Sequence, residues 1–167
     1  MIQMNIGDHS GSENGIAFTP IPVEKRHQVR WSRSKAHWIT RNISSGNRYF
    51  RSLPGGRSLT ALLNDSSIWI NYDPALTVDG STFHNQDLWI GPGPFRAGRW
   101  VVLATIIHEL AHINGAGGAA TGLVCSTFST ACHAAERAVL ECGLGNRREL
   151  RDKIDDPSTP YNPHIVG

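Results

Sequence analysis

Two histidines and a glutamate lie in one short run, His108-Glu109-Leu110-Ala111-His112. On an α-helix, residues four apart share one side and their Cβ atoms are about 5–6 Å apart. Both imidazoles can therefore reach one metal ion, and two neutral imidazoles with a carboxylate are typical ligands of Zn²⁺. The glutamate beside the first histidine can reach a water molecule on such an ion and remove its proton. The spacing predicts a zinc site with His108 and His112 as ligands and Glu109 as general base.

The third protein ligand must come from another part of the chain. The longer motif H-E-x-x-H-x-x-G-x-x-H requires a histidine at position 118, where this chain has Gly118. A later helix offers two alternatives, Glu136 and His133, and small residues along one side of that helix allow it to approach another helix closely. We favour Glu136, because it lies in the middle of the helix, whereas His133 lies in the first turn, where helix ends fray.

The elements that position these residues follow from the periodicity of the apolar side chains. A helix over about residues 99–114 carries the histidines, and a second over about 130–142 carries Glu136. Together with the other elements, they predict an α+β domain in which a small mixed or antiparallel sheet packs beside the metal-binding helix and the second helix. The other predicted elements are strands at 67–72 and 87–91, a short helix at 58–64 begun by Ser58, and a charged third helix at 146–154.

The first part of the chain gives weaker signals. Residues 1–15 are polar and rich in Gly and Ser, which predicts a flexible lead-in to a single domain over residues 16–167. Residues 16–51 are interpreted as short strands, because Val29 and Trp31 alternate with polar neighbours.

A basic segment lies in the same part of the chain. Nine Lys or Arg residues and no Asp or Glu occur between Lys25 and Asn64. They form either the solvated face of strands or a surface for an anionic polymer. The alternation favours the first interpretation and makes nucleic acid an unexpected partner.

The composition fits one globular domain. The chain has 167 residues, of which 40% are hydrophobic and 18% are charged. Its longest strongly apolar stretch, Trp100–Ile107, is far shorter than the roughly 20 residues of a membrane span. No basic-then-apolar leader opens the sequence, so we expect no signal peptide. Cys132 and Cys142 are too far apart on one helix to pair with each other, and Cys125 is the only possible partner of either.

The H-E-L-A-H helix with a later helical glutamate resembles the zincin metallopeptidases in their gluzincin arrangement. The resemblance covers about residues 67–145 and implies a Zn²⁺-dependent endopeptidase whose edge strand binds a protein or peptide substrate in extended form. It implies that His108, His112 and Glu136 are ligands and that Glu109 is the base. The remaining candidate site residues are Leu88, Trp89 and Ile90 as the substrate-binding edge strand, and Tyr161 or His164 as a transition-state stabiliser.

One position departs from the gluzincin pattern. Many gluzincins have an Asp four residues after the ligand Glu, which braces the first histidine, and this chain has Leu140 there. The bracing residue is therefore expected elsewhere, with Asp73, Asp79 and Asp87 as candidates.

The size of the chain and the lack of a leader resemble toxin domains that bacteria deliver through secretion systems. This resemblance implies an effector with a secretion-apparatus carrier and a cognate immunity protein as partners. Two other functions stay open at this point. One is a polyanion-binding module with a structural or degenerate metal site, and the other is a zinc amidase that acts on peptidoglycan peptides.

Overall fold

The computed structural model describes residues 1–83, 85–117 and 130–145, and in the last range it describes side chains from residue 134 onward. Helices and a mixed sheet pack into a small α+β domain, as predicted. The helices are α1 (Arg26–Asn42), α2 (Ser44–Ser52), α3 (Leu59–Leu63), α4 (Pro92–Ala97), α5 (Arg99–Ile113) and α6 (Thr130–Glu141). The strands are β1 (Gln3–Met4), β2 (Ser12–Glu13), β3 (Ile16–Ala17), β4 (Trp69–Tyr72), β5 (Gly80–Thr82) and β6 (Asp87–Ile90).

The main sheet has the strand order β1-β4-β6-β5. The first three strands are parallel, and β5 pairs antiparallel with β6 at the edge. Strands β4 and β6 confirm the two strands predicted at these positions. Strands β2 and β3 form a separate hairpin, and the carbonyl oxygen of Ala17 in that hairpin accepts a hydrogen bond of 2.9 Å from the indole Nε1 of Trp89 in β6.

The beginning of the chain belongs to the core, and the prediction of a flexible lead-in was wrong. Strand β1 pairs with β4, and the side chains of Ile2 and Asn5 are fully buried. The strand has only two residues. The apolar side chains at Ile2 and Met4 alternate over too few residues to indicate a strand, and the segment that follows is rich in Gly and Ser.

Helices α1 and α2 occupy the region that was predicted to form strands, and that prediction was wrong. The buried residues of α1 are Val29, Ser32, Ala36 and Ile39, which repeat at the helical spacing of three and four. The alternation around Val29 and Trp31 covers only a few residues, over which a helical and an extended pattern coincide. Two of the four core positions are a serine and an alanine, which weakened the helical signal.

Helix α5 is the centre of the domain. All residues from Arg99 to His112 are buried, and the helix packs against α1, α4, α6 and the strands β5 and β6. It begins after Gly98 and ends before Gly115, whose φ angles are 117° and 92°. Such positive φ values strongly favour glycine, which explains both helix boundaries. The predicted helix at 99–114 is thus confirmed.

Two further predicted helices are confirmed. Helix α3 begins at the predicted cap, because the Ser58 hydroxyl accepts a hydrogen bond of 3.0 Å from the backbone N–H of Ala61. Helix α6 ends before Gly143, which has a φ of 75°. The predicted helix at 146–154 lies outside the described residues.

Of the three cysteines, Cys142 has a fully buried side chain, and burial raises the pKa of its thiol. Cys125 and the side chain of Cys132 lie outside the described part of the chain. Among the residues that the structure describes, no helix is long and apolar enough to cross a membrane.

Candidate metal centre

The two histidines of α5 point their Nε2 atoms at each other. These atoms are 3.1 Å apart. Both residues are buried, with exposed fractions of 4% for His108 and 3% for His112. Two nitrogens bound to one tetrahedral zinc ion at about 2.0–2.1 Å would be roughly 3.3 Å apart. The spacing of the pair therefore fits two ligands of a single ion.

The partners of the two Nδ1 atoms indicate which ring nitrogen of each histidine donates. Nδ1 of His112 lies 2.6 Å from the carbonyl oxygen of Ala116, and Nδ1 of His108 lies 2.7 Å from Oε1 of Glu136. A carbonyl oxygen or a carboxylate can only accept, so each ring donates from Nδ1, and a neutral ring then carries its lone pair on Nε2. In the neutral state of both rings two lone pairs converge in a buried space, an arrangement that a cation between them stabilises. The donor set fits Zn²⁺, which binds neutral imidazole.

Glu136 contacts the ring nitrogen that faces away from the histidine pair. Its carboxylate bonds Nδ1 of His108, on the opposite side of the ring from Nε2, and its side chain is 36% exposed. In this conformation it orients the imidazole, as the partners of metal-bound histidines commonly do. A role as third ligand would require the carboxylate to leave Nδ1, and that role stays a prediction.

The bracing partner of His108 is therefore none of the three aspartates that were considered. Asp73 accepts a hydrogen bond from the backbone N–H of Ala75, and Asp87 accepts one from His9. The family pattern assigns Glu136 only to the metal, because it reserves the bracing position for an aspartate four residues later.

Helix α2 holds α6 in position behind the histidine pair. The Tyr49 hydroxyl donates a hydrogen bond of 2.9 Å to the carbonyl oxygen of Ala134, two residues before Glu136. The Ser45 hydroxyl donates one of 2.6 Å to the carbonyl oxygen of Glu141. The guanidinium carbon of Arg137 also lies 5.6 Å from the centre of the Tyr49 ring. These contacts restrict where the Glu136 carboxylate can lie.

Glu109 faces a different neighbour, strand β5. A Cβ atom added at Gly80 would lie 2.7 Å from Oε1 of Glu109 and 2.7 Å from Cγ2 of Thr105. Only a residue without a side chain lets the strand approach the helix this closely. Glu109 is 4% exposed, so the glycine packs directly over a buried carboxylate next to the histidine pair.

The predicted edge strand was wrong. Leu88, Trp89 and Ile90 lie in β6, which is fully buried and pairs with β4 on one side and β5 on the other. Its backbone groups are therefore used within the sheet. The edge beside α5 is β5, and its outer side pairs with no strand among the residues that the structure describes. Strand β5 was not predicted from the sequence, because Gly-Ser-Thr has no apolar alternation.

Several predicted site residues lie outside the described part of the chain. They are Tyr161, His164 and the side chain of His133. Among the described residues, no group of three or more His, Cys, Asp or Glu side chains is arranged to hold a metal ion. The two converging histidines are thus the part of the predicted zinc site that the structure brings together.

The basic segment is helical and is partly used within the fold. Nη1 of Arg33 donates to the carbonyl oxygen of Ile2 at 2.9 Å, and Nη2 of Arg57 pairs with Oδ2 of Asp65 at 2.7 Å. The Lys35 ammonium lies 5.2 Å from the centre of the Trp38 ring. Four arginines of the segment are exposed: Arg30, Arg41, Arg48 and Arg51.

No known protein family matches the chain, and comparisons with curated proteins and with solved structures find no significant similarity.

Proposed function

We propose that this protein is a zinc-dependent endopeptidase in which Glu109 is the general base. The observation that carries the proposal is the pair of Nε2 atoms of His108 and His112, which face each other at 3.1 Å beside the buried carboxylate of Glu109. Two imidazole nitrogens at this spacing are placed as two ligands of one tetrahedral ion would be.

The residues of the chain have separate tasks in this proposal. His108 and His112 would hold the metal through Nε2, while the Glu136 carboxylate and the Ala116 carbonyl oxygen keep both rings oriented through Nδ1. When bound, Zn²⁺ would act as a Lewis acid and lower the pKa of a coordinated water to about 7. The Glu109 carboxylate accepts the proton from the attacking water and passes it to the nitrogen of the leaving amine.

The free edge of β5 offers a way to orient the substrate. An extended peptide can add to an exposed edge strand through main-chain hydrogen bonds, which require no particular side chains. Such a peptide would pass next to Glu109, because Gly80 of β5 packs against that carboxylate. The edge strand predicted from sequence is thereby replaced by β5 in the same role.

Metal content and hydrolysis should be measured together on the full chain. We expect the purified protein to bind one zinc per chain and to cleave an unfolded protein substrate. His112→Ala should lose both properties, whereas His27→Ala, an exposed histidine on α1, should lose neither.

The other outcomes separate the alternatives. Zinc binding with cleavage of peptidoglycan peptides but not of unfolded protein would identify an amidase. Zinc binding without hydrolysis of either substrate would favour a binding module with a structural metal. A chain that binds no zinc would refute the proposal.

A further inference from the structure

A groove of about 670 Å³ opens at the turn between β5 and β6. It is lined by the β2–β3 hairpin, by residues 85–87 at the beginning of β6, and by Arg57 and Ile113. Ile113 lies four residues after Glu109 on α5, so it is one helical turn further along the same side of the helix. A peptide that pairs with β5 beside Glu109 would therefore continue towards this groove.

Asp87 is held rigidly in the wall of the groove. Its Oδ1 accepts hydrogen bonds from Nε2 of His9 at 2.8 Å and from Nδ2 of Asn71 at 2.7 Å. The His9 ring is itself stacked between Phe18 and Trp69, with ring centres 4.4 and 4.3 Å apart. These contacts fix the direction of the carboxylate, and the residue is only 8% exposed.

Both donors use the same oxygen of Asp87. Oδ2 accepts no hydrogen bond from the residues that the structure describes, and the Asp87 side chain, which is 11% exposed, lines the groove. A donor group that enters the groove can therefore reach this oxygen, and a charged donor would form a charge-assisted hydrogen bond with it. The second oxygen is therefore placed to receive a donor from a molecule in the groove.

The charges around the groove indicate which donor it is. Glu13 adds a second carboxylate to the lining, held by a hydrogen bond from Nδ2 of Asn85. Among the described residues of the lining, the basic side chain of Arg57 is already paired with Asp65 at 2.7 Å. The described part of the wall thus has two acidic groups and no uncompensated positive charge, which favours a cation over a neutral donor.

We propose that this groove binds a lysine or arginine side chain of the substrate and that Asp87 selects it. The proposal rests on the proposed peptidase function for the identity of the ligand as a peptide side chain. Its physical basis is the groove, its position one helical turn beyond Glu109, and the second carboxylate oxygen of Asp87.

Peptide binding tests the proposal without requiring turnover. The probes are alanine-rich octapeptides that carry a single lysine at each position in turn, and the same set with norleucine, which has a similar length and no charge. Their dissociation constants are measured by calorimetry on zinc-loaded Glu109→Gln protein, and their cleavage is measured on the wild-type chain. We expect lysine at one position to bind at least about tenfold more tightly than norleucine.

Asp87→Asn in the same background should abolish that preference. The asparagine keeps an Oδ1 acceptor for His9 and Asn71 but presents an amide N–H₂ group in place of Oδ2. Asp73→Asn is the matched control and should leave the preference unchanged. Asp73 follows the end of β4, whereas Asp87 begins the parallel strand β6, so the two carboxylates lie at opposite ends of the sheet. Glu13→Gln, at a less buried residue, should weaken the lysine preference about two- to threefold and serves if Asp87→Asn does not fold.

The two readouts distinguish the two proposals. Cleavage of peptides by the wild-type chain, with equal binding of the lysine and norleucine sets, would overturn the groove proposal and leave the peptidase intact. A lysine preference in binding that depends on Asp87, without any cleavage, would support the groove and refute the peptidase. The absence of both binding preference and cleavage would overturn both.

Discussion

The two sides of α5 position two adjacent residues, His108 and Glu109, by different physical means. On the side that faces α6, His108 is oriented by a hydrogen bond of 2.7 Å from its Nδ1 to Glu136. On the side that faces β5, Glu109 is confined by the close approach of Gly80, where a Cβ atom would be 2.7 Å away. Successive residues of a helix are rotated by about 100°, so neighbours in sequence face different elements.

Under the proposed function, the difference predicts that substitutions can impair metal retention and proton transfer separately. The α6 side depends on a directed polar contact, which in turn depends on the hydrogen bonds from α2 to α6. The β5 side depends on the absence of a side chain at one position. A variant on one side should therefore affect one property much more than the other.

The largest effect is expected from Glu109→Gln. The amide cannot accept the proton, so the rate of hydrolysis should fall by about 10²–10⁴-fold, the usual contribution of a general base. Zinc content should stay at the wild-type level, because the histidine pair is intact. Turnover and metal content of the purified variant provide the test. Loss of zinc from this variant would mean that Glu109 is itself a ligand.

Gly80→Ala changes the β5 side of α5 through packing alone. The new methyl group would collide with Oε1 of Glu109 and Cγ2 of Thr105 and should displace the carboxylate. We expect kcat to fall by about 100-fold, as for a catalytic group misplaced by about 1 Å, with zinc affinity within a few-fold of wild type. Ser81→Ala is the control, because neighbouring residues of a strand face opposite sides of the sheet. Equal loss of zinc and of turnover in Gly80→Ala would show that the two sides are not independent.

Glu136→Ala removes the polar contact on the α6 side of α5. Loss of a residue that orients a metal-bound histidine typically weakens metal affinity by about 10–100-fold, and chelator competition measures this directly. Glu136→Gln keeps an oxygen that can accept the hydrogen bond from Nδ1 of His108 and should recover most of the affinity. Glu141→Ala, on the same helix, should have little effect. A much larger loss that glutamine does not recover would identify Glu136 as the third ligand predicted from sequence.

The smallest effect is expected at Asp65, whose side-chain hydrogen bonds involve no residue of α5. Hydrogen bonds from Ser67, together with Arg57, lower the pKa of Asp65 from 3.8 to about 2. A carboxylate whose pKa is lowered on folding stabilises the protein above its unfolded pKa, and this stability is lost as pH falls towards the folded pKa. Asp65→Asn should lower the free energy of unfolding by about 1 kcal/mol at pH 7, since partial exposure screens the interaction.

Urea unfolding at a series of pH values tests this expectation. The difference between Asp65→Asn and the wild type should narrow progressively below about pH 4, where the unfolded chain begins to bind the proton. A difference that stays constant to pH 3 would assign the effect to a hydrogen bond that does not depend on charge.

The predictions from sequence succeeded where one element carries its own pattern. Helix α5 was predicted to within a residue, because a long apolar run is bounded by glycines at 98 and 115. Helix α1 was not predicted, because its buried side includes Ser32 and Ala36. Over a few residues, the positions of its apolar and aromatic side chains also fit the alternation of a strand. The order of strands was also missed, because pairing between distant segments leaves little trace in three or four residues.

The sequence by itself determined which residues are candidates for the proposed chemistry and that His108, Glu109 and His112 share one helix, since the H-E-x-x-H spacing and the surrounding apolar run are local properties. Only the tertiary structure decided that Glu136 meets Nδ1 of His108, 28 residues away, and that Gly80 of β5 packs over Glu109. It also decided that β5, not β6, is the edge strand. These contacts join segments that are far apart in the chain, and they depend on how buried faces fit together, which no local periodicity specifies.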